Sequence, residues 1–170
     1  MKTYKIELVR KKKEKEALIC ELDENLREVD RREMEGMGFT SRQGVEVSIY
    51  ETCPVYVARD AASGRLVACW GLQVLQFQGE NYNGEKKTSY RYIIWALGTN
   101  EINHHKKDFI KESTAIIKRW LELYGRLENT VATFNKKAVR WLKWMGAEFG
   151  QPYKMNGIEY VNFVITKKEE

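Results

Sequence analysis

The chain has 170 residues, 43% of them hydrophobic and 31% charged, enough to bury a core without metal or disulfide staples and unlike a disordered polypeptide. Cys20, Cys53 and Cys69 are odd in number and form no C-x-x-C pair, which argues against a disulfide framework or a zinc knuckle. The net charge of +5 suits a phosphorylated ligand or nucleic acid as well as a solvated surface, and by itself it names no partner.

Residues 3–9, "TYKIELV", alternate as a half-buried strand does. A helix follows, with Leu18, Leu22, Leu26 and Val29 at helical spacing, and it ends near "EGMG", where Gly36 and Gly38 break it. Residues 41–50 form a second short helical or irregular piece. The period then changes to strand: 55–59, a turn with Asp60, Ser63 and Gly64, and 66–77 read as a hairpin. "QGENYNGEKKTS" reads as a polar surface loop, and "YRYIIWAL", residues 90–97, is apolar on both faces like a central strand.

The clearest helix carries Phe109, Ile110, Ser113, Ile116, Ile117, Trp120, Leu121 and Tyr124 on one broad face and stops at Gly125. "LENTVATF" is a further strand and residues 136–145 a further helix, with Trp141, Leu142, Trp144 and Met145 on its core side. "AEFG" and "IEYVNFVIT" close the chain as a hairpin around residues 151–157. The order is β-α-α-β-β-β-α-β-α-β-β, with no repeat, linker or membrane span, so one soluble domain over residues 1–170 is expected, in the cytoplasm. Its fold class is α/β (α+β), a mixed sheet covered by helices on both faces. A ligand in such a sheet lies beyond the C-terminal ends of the central strands, here residues 97–99 and 134–135.

The element order, together with Asn135-x-x-Ala138 and a glycine, Gly146, eleven residues after the asparagine, resembles the GCN5-related N-acetyltransferase (GNAT) superfamily over nearly the whole chain. "DRREMEGMG", "YIIWALGT", "KDFIKES", "RLENTVATFNKKAVRWLKWMGAEF" and "FVIT" together are similar to a short-tailed-phage family typified by an internal virion assembly protein and described as acetyltransferase-like. The resemblance implies acetyl-CoA as cosubstrate, an amine acceptor, and Asn135 and Ala138 at the pantetheine arm. It also implies a phage origin, with phage structural proteins as further partners.

Two departures bear on that expectation. Before the main helix the superfamily carries R/Q-x-x-G-x-G/A, whose glycines let backbone N–H groups approach a pyrophosphate; here the segment is "NEINHHKKDF". Phosphate binding then falls to the helix start, with Lys106 and Lys107 as point charges and Asp108 opposing them. Where the superfamily often has a thiolate-protonating tyrosine, this chain has Leu142, which donates no proton.

The reading is therefore an acyl-CoA-dependent N-acyltransferase. Backbone N–H groups of Ala96, Leu97 and Gly98 polarise the thioester, Leu97, Gly98, Thr99, Lys106, Lys107, Asn135 and Ala138 hold the cosubstrate, and no metal is used. Glu33 is placed to draw or deprotonate the amine, and Tyr153 replaces the missing acid if the last hairpin folds back over the opening. Lys136, Lys137, Arg140 and Lys143 form either a phosphate clamp or a solvated face. His104 and His105, adjacent in a loop, are poor metal ligands but suit a general base or a phosphate donor. The alternative is a non-catalytic assembly protein that inherited the fold. A nucleic-acid module rests on charge alone.

Overall fold

A computed structural model describes residues 3–168 and lays eight strands into one sheet in the order β1-β2-β3-β4-β5-β8-β6, with β7 beside β8. The strands are β1 (Tyr4–Val9), β2 (Val55–Asp60), β3 (Leu66–Glu80), β4 (Lys86–Gly98), β5 (Arg126–Ala132), β6 (Glu148–Phe149), β7 (Tyr153–Met155) and β8 (Ile158–Thr166). Every pairing is antiparallel except that of β4 with β5, which is parallel and registers at one position, Ile93 opposite Glu128.

Helices α1 (Lys12–Asn25), α2 (Glu28–Gly36) and α3 (Ser41–Tyr50) cover one face, where Leu18, Leu22, Val45 and Ile49 bury against Val57, Cys69 and Leu97. Helices α4 (Lys106–Tyr124) and α5 (Lys136–Trp144) belong to the other face, where Ile117, Trp120, Leu121 and Leu142 pack with Trp70, Ile94, Leu127 and Val131. Gly125 ends α4 in the left-handed region, as its position after Tyr124 predicts. Among the described residues no helix is long and apolar enough to cross a membrane.

The structure departs from the sequence reading in four places. The first helix is two, because Leu26 is extended and bridges to Thr99 while Arg27 N–H donates to the Gly98 carbonyl (2.9 Å). Tertiary pairing with the end of β4 thus interrupts a sequence whose apolar spacing runs on. Most of "QGENYNGEKKTS" is strand, since β3 and β4 stay paired to Glu80 and Lys86. The remaining turn is closed by the Asn81 side chain, which accepts from the N–H groups of Asn83 and Glu85.

Trp144 is 66% exposed, while Leu142 is buried; the last turn of α5 rotates that tryptophan off the core. Finally, β8 folds back on β7 through Asn156 and Gly157, both at positive φ, so "AEFG" contributes only the two-residue strand β6.

Candidate functional site

The gap between β4 and β5 is set by ladder parity. Thr99 N–H bonds the Val67 carbonyl (3.0 Å), so residues 95, 97 and 99 face β3 with their backbone groups while 94, 96 and 98 turn theirs toward β5. Thr133 N–H bonds the Glu159 carbonyl (2.9 Å), so 129 and 131 face β8 while 128, 130 and 132 turn toward β4. Past Ile93 and Glu128 the two strands no longer pair, and these backbone groups need other partners.

Side chains supply most of them. Asn129 spans the gap, its Nδ2 donating to the Ile94 carbonyl (2.7 Å) and its Oδ1 accepting from Thr130 N–H (2.7 Å). Helix α2 lies over the mouth and sends one carboxylate to each lip. Asp30 Oδ2 accepts from Gly98 N–H (2.8 Å), and Glu33 Oε1 accepts from Ala132 N–H (2.5 Å). The i, i+3 spacing of these two acids puts them on one face of the helix, a turn apart. Ala96, past the one β4–β5 register position, turns its N–H and C=O toward the gap and is exposed.

Both carboxyls titrate above their ordinary range. Burial is the largest influence on Asp30, which is 3% exposed, and it outweighs the paired Arg27 guanidinium and the Gly98 N–H. Burial likewise raises Glu33 against its hydrogen bonds from Ala132 and Asn135, with the charge of Asp30 adding to the rise. Arg27 grips Asp30 with two bonds of 2.9 Å. Tyr160 donates to the Glu33 carbonyl (2.7 Å), and its own hydroxyl is raised by burial and by the Glu33 charge.

Asn135 caps α5, its Oδ1 accepting from Ala138 N–H (3.3 Å), and its Nδ2 donates to Glu33 Oε2 (3.2 Å). The structure therefore brings Ala96, Gly98, Glu33 and Asn135 to one opening, with Ala138 in the first turn beside it. Tyr153 lies on the last hairpin, its hydroxyl tied to Asn162 Oδ1 (3.2 Å) and Thr130 Oγ1 (3.4 Å). Leu97 and Thr99 are buried, Leu97 in the core under α1 and Thr99 with its hydroxyl on the Leu66 carbonyl (2.6 Å). Leu97 N–H belongs to the β3 ladder and Gly98 N–H, though it faces the gap, is taken by Asp30, so of the three expected carbonyl-polarising groups Ala96 N–H is the one that faces the gap with no side chain bound to it among the described residues.

Lys106 and Lys107 stand exposed in the first turn of α4, where no side chain caps the helix. His105, expected as a base or phosphate donor, is instead buried, with Nδ1 2.8 Å from Thr3 Oγ1 and Nε2 3.1 Å from Asp60 Oδ2. Thr3 also donates to Asp108 (2.6 Å), strapping the start of β1 to that turn. Lys136, Arg140 and Lys143 line, with Val139, a shallow basic groove of about 350 Å³ along α5.

Asp30, Arg27 and Asn129 escaped the sequence reading. Asp30 and Arg27 sit in a run of alternating charge that reads as a solvated face, and their only signal was the Asp30-x-x-Glu33 spacing. Asn129 sits inside a strand.

No sequence-family profile matches the chain, and no curated protein sequence does. Solved structures do. The aminoglycoside N(6')acetyltransferase from Legionella pneumophila superposes with a TM-score of 0.59 at 10% identity, over 98% of this chain and 93% of that one. NAA60 from Arabidopsis thaliana, in complex with a bisubstrate analogue, gives 0.59 at 15% identity, over 96% and 98%. A GNAT-family acetyltransferase from Bacillus anthracis gives 0.55 at 14% identity, over 95% and 94%. The chain has the GNAT fold.

Proposed function

We propose, with that fold as the premise, that the protein is an N-acyltransferase that moves an acetyl group from acetyl-CoA to an amine by direct attack. The observation that carries the reading is the exposed Ala96, whose N–H faces the mouth of the β4–β5 gap, with the buried Asp30 and the half-buried Glu33 of α2 over that mouth. A thioester carbonyl set against that N–H gains a donor aimed at the oxygen where negative charge develops. The amine nitrogen bonds the carbonyl carbon, the C–S bond breaks, and the sulfur leaves as the thiolate of CoA. Glu33 accepts the amine proton: burial raises its pKa, which makes its carboxylate a stronger base. The thiolate takes a proton from Tyr153 or from water, since Leu142 lies in the core.

The cosubstrate's phosphates have Lys106 and Lys107 at the free start of α4 and the basic face of α5 as counter-charges. Asn135 acts by holding Glu33 and the first turn of α5 in place, and its remaining contact capacity faces the pantetheine arm. The phage origin, and with it action in the host cytoplasm, rests on the segments quoted above.

A second reading has its own observation. Asn129, Asp30, Glu33 and Arg27 already satisfy several of the backbone groups that line the gap, which suits a phage assembly protein whose gap has been closed from within.

Thermal unfolding with acetyl-CoA and with CoA separates the two. At about 100 times its dissociation constant a ligand stabilises by roughly 2.7 kcal/mol. A saturable shift, followed by thiol release on adding a panel of amines, supports the transferase. No shift at millimolar ligand leaves the assembly protein.

A further inference from the structure

The β3–β4 hairpin runs on past its neighbours as a free ribbon. Beyond Tyr56 opposite Trp70, β3 has no partner on its outer side among the described residues, and β4 has none before Ile93 opposite Glu128. The ladder parity that opens the gap also fixes this edge: residues 72, 74, 76 and 78 turn their N–H and C=O groups outward. Val74 is 51%, Leu75 40% and Phe77 43% exposed.

The two edges of the ribbon differ in charge. The β4 side carries Lys86, Lys87 and Arg91, the kind of residue that blunts a free strand. The β3 side, "GLQVLQFQG" over residues 71–79, has no charge, no proline and no bulge within its register with β4. Such an edge is a template for another strand, and the strand it fits best is its own copy. An uncharged segment pairs with itself without placing like charges opposite each other, whereas the β4 edge paired with its own copy would set its lysines and arginine against one another.

We propose that two copies of this chain associate through their β3 edges, antiparallel about a two-fold axis at Gln76, so that the sheet continues from one protomer into the other. In that register every outward-turned residue meets an outward-turned one: Gln76 its own copy, Val74 Gln78, and Leu72 Glu80. The pairing forms about ten backbone hydrogen bonds. Leu75 and Phe77 of the two copies stand opposite each other, which collects four exposed apolar side chains on one face. Because the axis uses each edge once, assembly closes at the dimer.

Sedimentation velocity of the full chain over a roughly hundredfold dilution series tests this, since a dimer dissociates by mass action. The wild type sediments as a dimer at the concentrated end. Gln76→Pro removes an N–H that only the partner uses, and Gln76→Lys sets two lysines face to face on the axis; both shift the protein to monomer with circular dichroism unchanged. Lys87→Glu, on the other edge, leaves the dimer intact. Should Gln76→Pro perturb the hairpin, Gln76→Lys carries the comparison. A wild type that is monomeric throughout, a dimer that persists in Gln76→Lys, or growth beyond two copies would each overturn the proposal.

Discussion

Asn135 and Glu33 are joined across the mouth of the sheet: Asn135 Nδ2 donates to Glu33 Oε2 (3.2 Å) while Glu33 Oε1 holds the Ala132 N–H. The asparagine is therefore both the cap of α5 and a tether for α2. Asn135→Ala loses the cap, typically about 1 kcal/mol. It also leaves a largely buried carboxylate oxygen unpaired, a further loss of about 1–3 kcal/mol. Asn135→Asp keeps the cap acceptor but faces Glu33 with a second acid. Urea unfolding should rank wild type above both variants, and both should weaken further as pH rises from 4 to 7, because the lost Asn135 bond no longer lowers the Glu33 pKa; the aspartate variant, with its second charge, should weaken more steeply.

Glu33 and Asp30 also set a pH dependence for the wild type. Their folded pKa values are raised by burial, so the native state binds protons that the unfolded chain has released, and stability falls as pH rises above the ordinary carboxyl value of about 4. The charged neighbours of Glu33 on α2 are Asp30, Arg27 and Arg32, and from β8 it meets the Tyr160 hydroxyl. Glu33→Gln removes one of the two titrations. Denaturant midpoints measured at steps from pH 4 to 8 should decline less steeply for Glu33→Gln than for wild type. An identical slope would mean that Glu33 is ionised at its ordinary pKa.

Much of this arrangement is legible in the sequence where a local rule decides the outcome. Gly125 stops α4 because only a residue without a Cβ takes φ of 74° easily, and the β2–β3 turn follows from Asp60, Ser63 and Gly64. Asn135 is legible as the residue that caps α5. What escapes is decided by distant partners. Leu26 has a helical neighbourhood and is pulled straight by Thr99, which lies 73 positions further along the chain (99 − 26), beyond the reach of any local cue.

The misreading of Asp30 has the same root, since a charged residue in an acidic and basic run shows no sign that Gly98 N–H will claim it. His105 is the reverse: its place in a polar loop suggests reactivity, and burial against Tyr4 with Thr3 and Asp60 makes it part of the scaffold. The hairpin ribbon is masked in the sequence by Gly79, which sits in the ladder opposite Lys87, and by Asn81, Asn83 and Gly84, whose turn chemistry belongs only to the tip.

Two glycines separate close approach from ordinary helix breaking. A Cβ at Gly36 would meet Tyr160 Oη at 2.1 Å and Ile158 Cδ1 at 2.6 Å, and the hydroxyl is held by the Glu33 carbonyl. At Gly44 it would meet Met34 Sδ at 2.5 Å, the middle of a flexible side chain. Gly36→Ala should destabilise by about 1–3 kcal/mol through overpacking. Gly44→Ala recovers part of a similar clash from helix propensity, worth about 1 kcal/mol. Chemical denaturation should therefore place Gly36→Ala clearly below Gly44→Ala.

At the far end of the parallel pair, Glu128 is buried and holds two arginines, Arg91 and Arg126, whose side chains are themselves more than half exposed. Burial alone would raise its pKa, but the hydrogen bonds and charges of Arg126 and Arg91 prevail and hold it below the ordinary range. Stability from this group is present above the ordinary carboxyl value and disappears as pH falls through the lowered one.

The two arginines substitute for each other, so each single alanine variant should cost within about 1 kcal/mol. Removing both leaves a buried carboxylate without a counter-charge, at about 3 kcal/mol or more. A double-mutant cycle at pH 7 should accordingly show strong non-additivity, with the double loss exceeding the sum of the singles. At low pH, where Glu128 is protonated in every variant, that excess should vanish. Additive losses at pH 7 would mean that the two arginines act on Glu128 independently and do not substitute for each other.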